Sequence, residues 1–139
     1  MNSSPFDTER DQNNYVYLHP KEAHETTLIF LHGLGDSAEG FADLWGGWNQ
    51  HKLTPRTCRI VLPTAPQSKV SCNGGMKMNS WFDIYSLSSN VPATLAEVRK
   101  EFSQDELMVS ANLLLGLVES EREKFADKNP GRIYIGGFS

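Results

Sequence analysis

The sequence predicts an α/β fold, a mostly parallel sheet with flanking helices. Three observations point to it. Thr26–Leu31 is apolar on both faces, as a strand of a covered sheet must be, and Thr57–Leu62 reads as the next strand. Helically spaced segments separate the strands, so the chain alternates strand, helix, strand, long helix, strand, the pattern of right-handed crossovers. The last strand, Arg132–Ile135, runs into Gly136-Gly137-Phe138-Ser139, where glycines allow a strand to turn sharply.

Composition sets the class. The chain has 139 residues, 39% hydrophobic and 22% charged, enough for one globular core. It shows no internal repeat, low-complexity block or linker. A net charge of −4 and scattered basic residues give no footprint for nucleic acid. The longest apolar run, Leu113–Leu115, is far short of a membrane span, and the polar N-terminus lacks a signal peptide's apolar stretch, so no stable membrane insertion is expected. Cys58 and Cys72 lack CxxC spacing and suit free thiols in a reducing, cytoplasmic location.

In chain order, residues 1–14 read as a flexible tail and 15–139 as one domain. Tyr15–Leu18 is a strand ending at His19-Pro20, and its short connection to Thr26–Leu31 suggests an antiparallel opening pair. His32-Gly-Leu-Gly-Asp36 breaks the strand. Asp36 or Ser37 can cap a helix whose apolar face carries Phe41, Leu44, Trp45 and Trp48. Thr57–Leu62 stops at Pro63-Thr-Ala-Pro66. Residues 68–83 read as irregular, turning at Cys72-Asn-Gly-Gly75. Pro92 suits the first position of a short helix reaching about Phe102. Ser103-Gln-Asp-Glu106 is a capping box for a long helix with Leu107, Ala111, Leu114, Val118 and Phe125 on one face. Asn129-Pro-Gly131 ends it.

Two stretches carry chemistry. Gly137-Phe138-Ser139 matches the first three positions of G-x-S-x-G, in which a strained turn presents a nucleophilic serine; by itself the triplet also suits a glycine-rich strand end. Upstream, His32-Gly33-Leu34-Gly35-Asp36 leaves the backbone N–H of Leu34 free to face a cleft, as an oxyanion donor must. A rival reading exists. Gly33-Leu-Gly35-Asp-Ser-Ala38 also fits the dinucleotide fingerprint G-x-G-x-x-A, but the next strand ends Val61-Leu-Pro-Thr64 without the required acid.

All four histidines precede Ser139, against the Ser, acid, His chain order of such hydrolases, so His32 is read as bracing the oxyanion loop. No histidine has metal-ligand spacing, and neither a metal nor a cofactor is expected. Met76, Met78, Trp81 and Phe82 read equally as a core patch under a loop or as the lining of an acyl-chain groove. Asp83 is read as structural.

Taken together, Phe30-Leu-His-Gly-Leu-Gly-Asp36, Leu62-Pro-Thr-Ala-Pro66, Ser80-Trp-Phe-Asp-Ile84 and Arg132-Ile-Tyr-Ile-Gly-Gly-Phe-Ser139 resemble the phospholipase/carboxylesterase family that includes the acyl-protein thioesterases. The resemblance implies the N-terminal portion of an α/β-hydrolase, truncated at the nucleophile elbow, whose parent acts on acyl esters or thioesters of lipid or S-acylated protein. It implies Ser139 as nucleophile and Leu34 N–H as one oxyanion donor, supported by His32, Gly33, Gly35 and Gly137. The second donor, the acid and the histidine would lie beyond residue 139, so the chain alone is expected to be inactive. A non-catalytic binding or assembly subunit and a dinucleotide-binding domain are the alternatives.

Overall fold

The apolar runs assemble into a five-stranded mixed sheet in a computed structural model that describes residues 4–46, 53–87 and 93–139. In chain order the elements are β1 (Phe6–Arg10), β2 (Val16–Pro20), β3 (Thr26–Leu31), α1 (Glu39–Gly46), β4 (Cys58–Leu62), β5 (Gln67–Val70), β6 (Met76–Asn79), α2 (Leu95–Arg99), α3 (Gln104–Arg122) and β7 (Ile133–Gly137). The sheet order is β1-β2-β4-β3-β7, and β5 and β6 form a separate hairpin. β3 runs parallel to both β4 and β7, whereas β2 is antiparallel to β1 and β4. The α/β class with flanking helices is therefore as expected, with the parallel strands confined to one half of the sheet. No helix among the described residues is long and apolar enough to cross a membrane.

Two expectations fail at the start of the chain. Residues 6–10, assigned to a flexible tail, form β1. The cause is Asp11, whose Oδ1 accepts the N–H groups of Asn13 (2.8 Å) and Tyr15 (3.0 Å) and whose Oδ2 accepts the Tyr17 hydroxyl (2.9 Å). That turn folds β1 back onto β2, and Phe6 enters the core at 4% exposure. One apolar side chain in a polar stretch is too little to announce a strand. The expected β2–β3 pair is also absent, because β4 lies between them. All five β4 residues are buried, and the most apolar strand takes the position covered on every side.

The α1 face of the sheet holds the main core. Val16, Leu18, Cys58, Ile60 and Leu62 meet Ala38, Ala42 and Trp45 there. Phe30 packs edge-on against Trp45, ring centroids 5.3 Å apart, and lies 5.1 Å from Phe41. Leu44, expected on this face, is exposed. Trp48 lies outside the described residues, as does Pro92.

The opposite face is closed by an ion pair. On α3 the expected face is the inward one, with Ala111, Leu114 and Val118 half-buried and Phe125, beyond the helix, buried; Leu107 is exposed, and the fully buried residue of the helix is Glu121. Glu121 accepts from Arg59 Nε of β4 at 2.6 Å. Arg59 also bonds His19 and lies over the Tyr17 ring. The complete capping box belongs to α2, where Thr94 and Glu97 satisfy each other's backbone N–H. At Ser103 only half forms, because the Glu106 carboxylate is occupied by the Asp83 N–H at 2.7 Å.

Candidate active site

The site arises where β3 and β7 end together. Their parallel register pairs Leu31 with Gly137, so the segments leaving both strands emerge side by side at the carboxyl ends. Ligands of open α/β sheets bind outside that edge. The Phe138 N–H continues the ladder to the Leu31 carbonyl at 3.0 Å. Ser139 is thereby carried over the loop that follows β3.

That loop is a four-residue turn, Gly33-Leu34-Gly35-Asp36, closed by the Asp36 N–H donating to Gly33 O at 3.2 Å. Gly35 sits at φ +80°, the left-handed value a turn of this kind needs at its third residue. Gly33 is required for a different reason. A Cβ there would lie 3.0 Å from the Phe138 carbonyl oxygen and 3.2 Å from Ser139 Oγ. The loop and the segment that follows β7 approach closely, and glycine is what lets them.

His32 orients the turn. Its ring is buried, and Nε2 accepts the Ala65 N–H at 2.9 Å, so Nε2 carries no proton. The proton is on Nδ1, which donates to Gly33 O at 2.7 Å. Gly33 O thus receives two donors, the imidazole and the Asp36 N–H. Because the peptide is planar and trans, a carbonyl held on one side sends the next N–H to the other. That next N–H is Leu34's, and among the described residues no hydrogen bond engages it. The Trp81 indole N–H donates to His32 O at 2.8 Å and its ring lies 5.1 Å from the imidazole. Both ring nitrogens of His32 are committed to the backbone, which leaves neither for proton transfer with Ser139.

The expected apolar cluster is divided. Met78 faces the turn, its Sδ 3.8 Å from the position a Gly35 Cβ would take. Trp81 packs on His32. Phe82 turns away to Phe102, centroids 5.3 Å apart, and Met76 is 65% exposed on the hairpin. Met76 and Met78 share one face of β6 and differ in position along it, Met76 lying next to the Gly74-Gly75 turn, while the adjacent Trp81 and Phe82 diverge after the strand has ended. Met78 and Trp81 thus stand beside the turn, Phe82 packs on Phe102 ahead of α3, and Met76 stands apart.

Asp83 ties the hairpin to the body. Its two oxygens accept the Ser71 N–H (2.7 Å) and the Ser71 hydroxyl (2.6 Å). The hydroxyl first, then the N–H, hold its carboxyl below the usual carboxylate range. Its own N–H and C=O bond Glu106 and Ser103, and the Ser110 hydroxyl bonds Trp81 O. These links join residues distant in sequence and had no local signature. His19 and His24 sit near the opposite end of the sheet, His19 bonded to Arg59 and Glu9, His24 to Thr27. His51 lies outside the described residues. An open cavity of about 670 Å³ lies beside the turn, lined in part by Tyr15, Ser37, Thr64 and Asn79.

Comparison with known proteins bears on family and fold. The phospholipase/carboxylesterase family model matches residues 12–139. The chain is 36% identical over 126 residues to acyl-protein thioesterase 1 of Schizosaccharomyces pombe, covering 91% of this chain and 50% of that protein. It is 39% identical over 134 residues to acyl-protein thioesterase 1 homolog 1 of Dictyostelium discoideum, covering 92% of this chain and 51% of the other. The crystal structure of Zea mays acyl-protein thioesterase 2 superposes with a TM-score of 0.64 at 26% identity, covering 90% of this chain and 46% of that one. The chain spans about half the length of the curated relatives it matches.

Proposed function

The chain belongs to the phospholipase/carboxylesterase family, and from that premise we propose that it supplies the nucleophile and one oxyanion donor of a serine hydrolase of acyl esters or thioesters. The observation that carries the reading is the contact of Gly33 with Ser139. It joins the two stretches that such chemistry needs and that 106 positions of sequence separate (139 minus 33).

In the proposed reaction Ser139 Oγ attacks the acyl carbonyl carbon. The Oγ–C bond forms while the carbonyl oxygen takes negative charge toward the Leu34 N–H, and a base removes the hydroxyl proton. Collapse breaks the C–S or C–O bond and releases a thiol or alcohol, which takes up that proton. Water then cleaves the acyl-enzyme to a carboxylic acid and restores Ser139. The base is a histidine that follows the serine in chain order, as in other hydrolases of this architecture. His32 is the positioning residue behind Leu34, and Met78 and Trp81 flank the acyl group. The relatives' names favour an S-acylated protein as substrate.

The test is a chimera in which residues 1–139 are followed by the second half of the Schizosaccharomyces pombe relative. A fluorophosphonate probe should label it at Ser139, and Ser139→Ala should abolish both labelling and hydrolysis of a palmitoyl thioester. A folded chimera in which the probe ignores Ser139 defeats the reading.

A further inference from the structure

The turn that presents Leu34 N–H is held from two sides, and only one of them is His32. On the other, β6 ends at Asn79, whose carbonyl accepts the Gly35 N–H at 2.9 Å. Its side-chain amide donates to Asp36 O, also at 2.9 Å. Each consecutive peptide of the turn is thus held at least once. Gly33–Leu34 is held through Gly33 O by His32 and by the Asp36 N–H. Leu34–Gly35 is held through the Gly35 N–H by Asn79 O, and Gly35–Asp36 through the Asp36 N–H by Gly33 O. Asp36–Ser37 is held through Asp36 O by the Asn79 side chain.

We propose that Asn79 is a positioning residue that straps the β5–β6 hairpin to the turn and keeps Leu34 N–H aimed at the Ser139 side, resting on the oxyanion role given to Leu34 above. A planar peptide rotates as a unit, so an unheld neighbour lets the Leu34 amide swing away from the Gly33–Ser139 contact. A preorganised donor needs no rearrangement when charge develops, and that is the advantage the strap protects. Asn79 meets the turn twice: its main-chain carbonyl, which any residue would supply, accepts the Gly35 N–H, and its side-chain amide, a donor that an aspartate lacks, reaches Asp36 O. The strap also makes the hairpin's attachment through Asp83 and Ser71 part of the turn's rigidity.

The first measurement uses the 139-residue chain and needs no turnover. In Asn79→Ala and in the isosteric Asn79→Asp, which keeps the shape and removes the donor, hydrogen exchange at the Gly35 and Asp36 amides should accelerate about five- to tenfold, the change set by one lost hydrogen bond. Gln67→Ala, the exposed cross-strand partner of Asn79 in the hairpin, should leave those amides unchanged. In the chimera described above, both Asn79 variants should lower kcat about tenfold with KM preserved, less than the 10²–10³-fold loss of a whole donor. Unchanged exchange at Gly35 and Asp36, or acceleration spread evenly along β5 and β6, overturns the strap. A drop in kcat matched by a rise in KM overturns its role toward the donor. A wild-type chimera with no Ser139-dependent turnover would instead remove the hydrolase reading, and the exchange result would still decide whether Asn79 holds the turn.

Discussion

Gly33 and Ser139 are in contact: a methyl group on Gly33 would lie 3.2 Å from Ser139 Oγ. Both residues follow strands that pair in parallel, so the sheet register sets their separation rather than any flexible loop. Gly33→Ala should therefore push the elbow and the turn apart. The neighbours need give only a few tenths of an ångström, so the rate should fall by less than the roughly 10²-fold that a 1 Å displacement costs, and overpacking should cost no more than about 1–3 kcal/mol. Turnover of the chimera and denaturant unfolding of the 139-residue chain check the two effects separately.

The 139-residue chain alone should not turn over a nitrophenyl ester. Both nitrogens of His32 are bonded to backbone groups, and His19 and His24 lie toward the other end of the sheet. Loss of the histidine from a serine triad costs about 10⁶ in kcat. The chain and its Ser139→Ala variant should give the same rate, within error of the uncatalysed one. Serine-dependent hydrolysis by the chain would show that one of its own histidines reaches Ser139.

Glu121→Ala should be among the most destabilising single changes in the chain. Arg59 and Glu121 are 7% and 3% exposed, and removing one partner leaves the other charge buried. The expected loss is about 3–5 kcal/mol by urea denaturation. The double variant Arg59→Met with Glu121→Leu should recover most of it, because a buried ion pair is replaceable by packed apolar groups.

Acid should weaken the hairpin's attachment through Asp83. Its folded-state pKa is lowered by the Ser71 hydroxyl and N–H, so its contribution is full above the ordinary value of 3.8 and disappears as pH falls through the lower folded value. Stability must rise with pH across that window, since the unfolded state takes up the proton first. Asp83→Asn should flatten this part of the curve relative to wild type, measured as thermal midpoint between about pH 5 and pH 2. A parallel acid dependence in both proteins would show that other carboxylates carry it.

The exposed side of β7 should make the chain self-associate. Tyr134, Ile135 and Phe138 are each more than half exposed, and among the described residues β7 pairs on one edge only. An apolar strand with an open edge is a template for pairing with another chain. Ile135→Lys should shift the molecule toward monomer in light scattering, with little change in secondary structure.

Much of the scaffold was legible because its signals are local. β3, β4 and β7 show as apolar runs closed by glycine or proline, and α1 and α3 by caps and spacing. The turn at 33–36 and the elbow at 137–139 were visible as glycine patterns whose chemistry depends on backbone, not on neighbours. β1 was missed because its burial rests on Phe6 alone. On α3 the apolar face was legible apart from Leu107, but Glu121 looks like a surface residue until Arg59 stands opposite it. The capping box at Ser103 was half wrong because Glu106 found another donor. Residues 68–83 were read as irregular because a short polar hairpin has little periodicity.

Local residue chemistry was enough to name the two stretches that meet and the reaction they suit, since backbone freedom and strand composition are written within a few positions. Only the folded chain could show that they meet, that His32 spends both nitrogens on the turn, and that Asn79 and Asp83 hold the hairpin against it. Those facts are distances between residues far apart in sequence. Such distances follow from strand order and parallel register, and β4 entering between β2 and β3 is a choice made by burial of the whole sheet, which no single segment encodes.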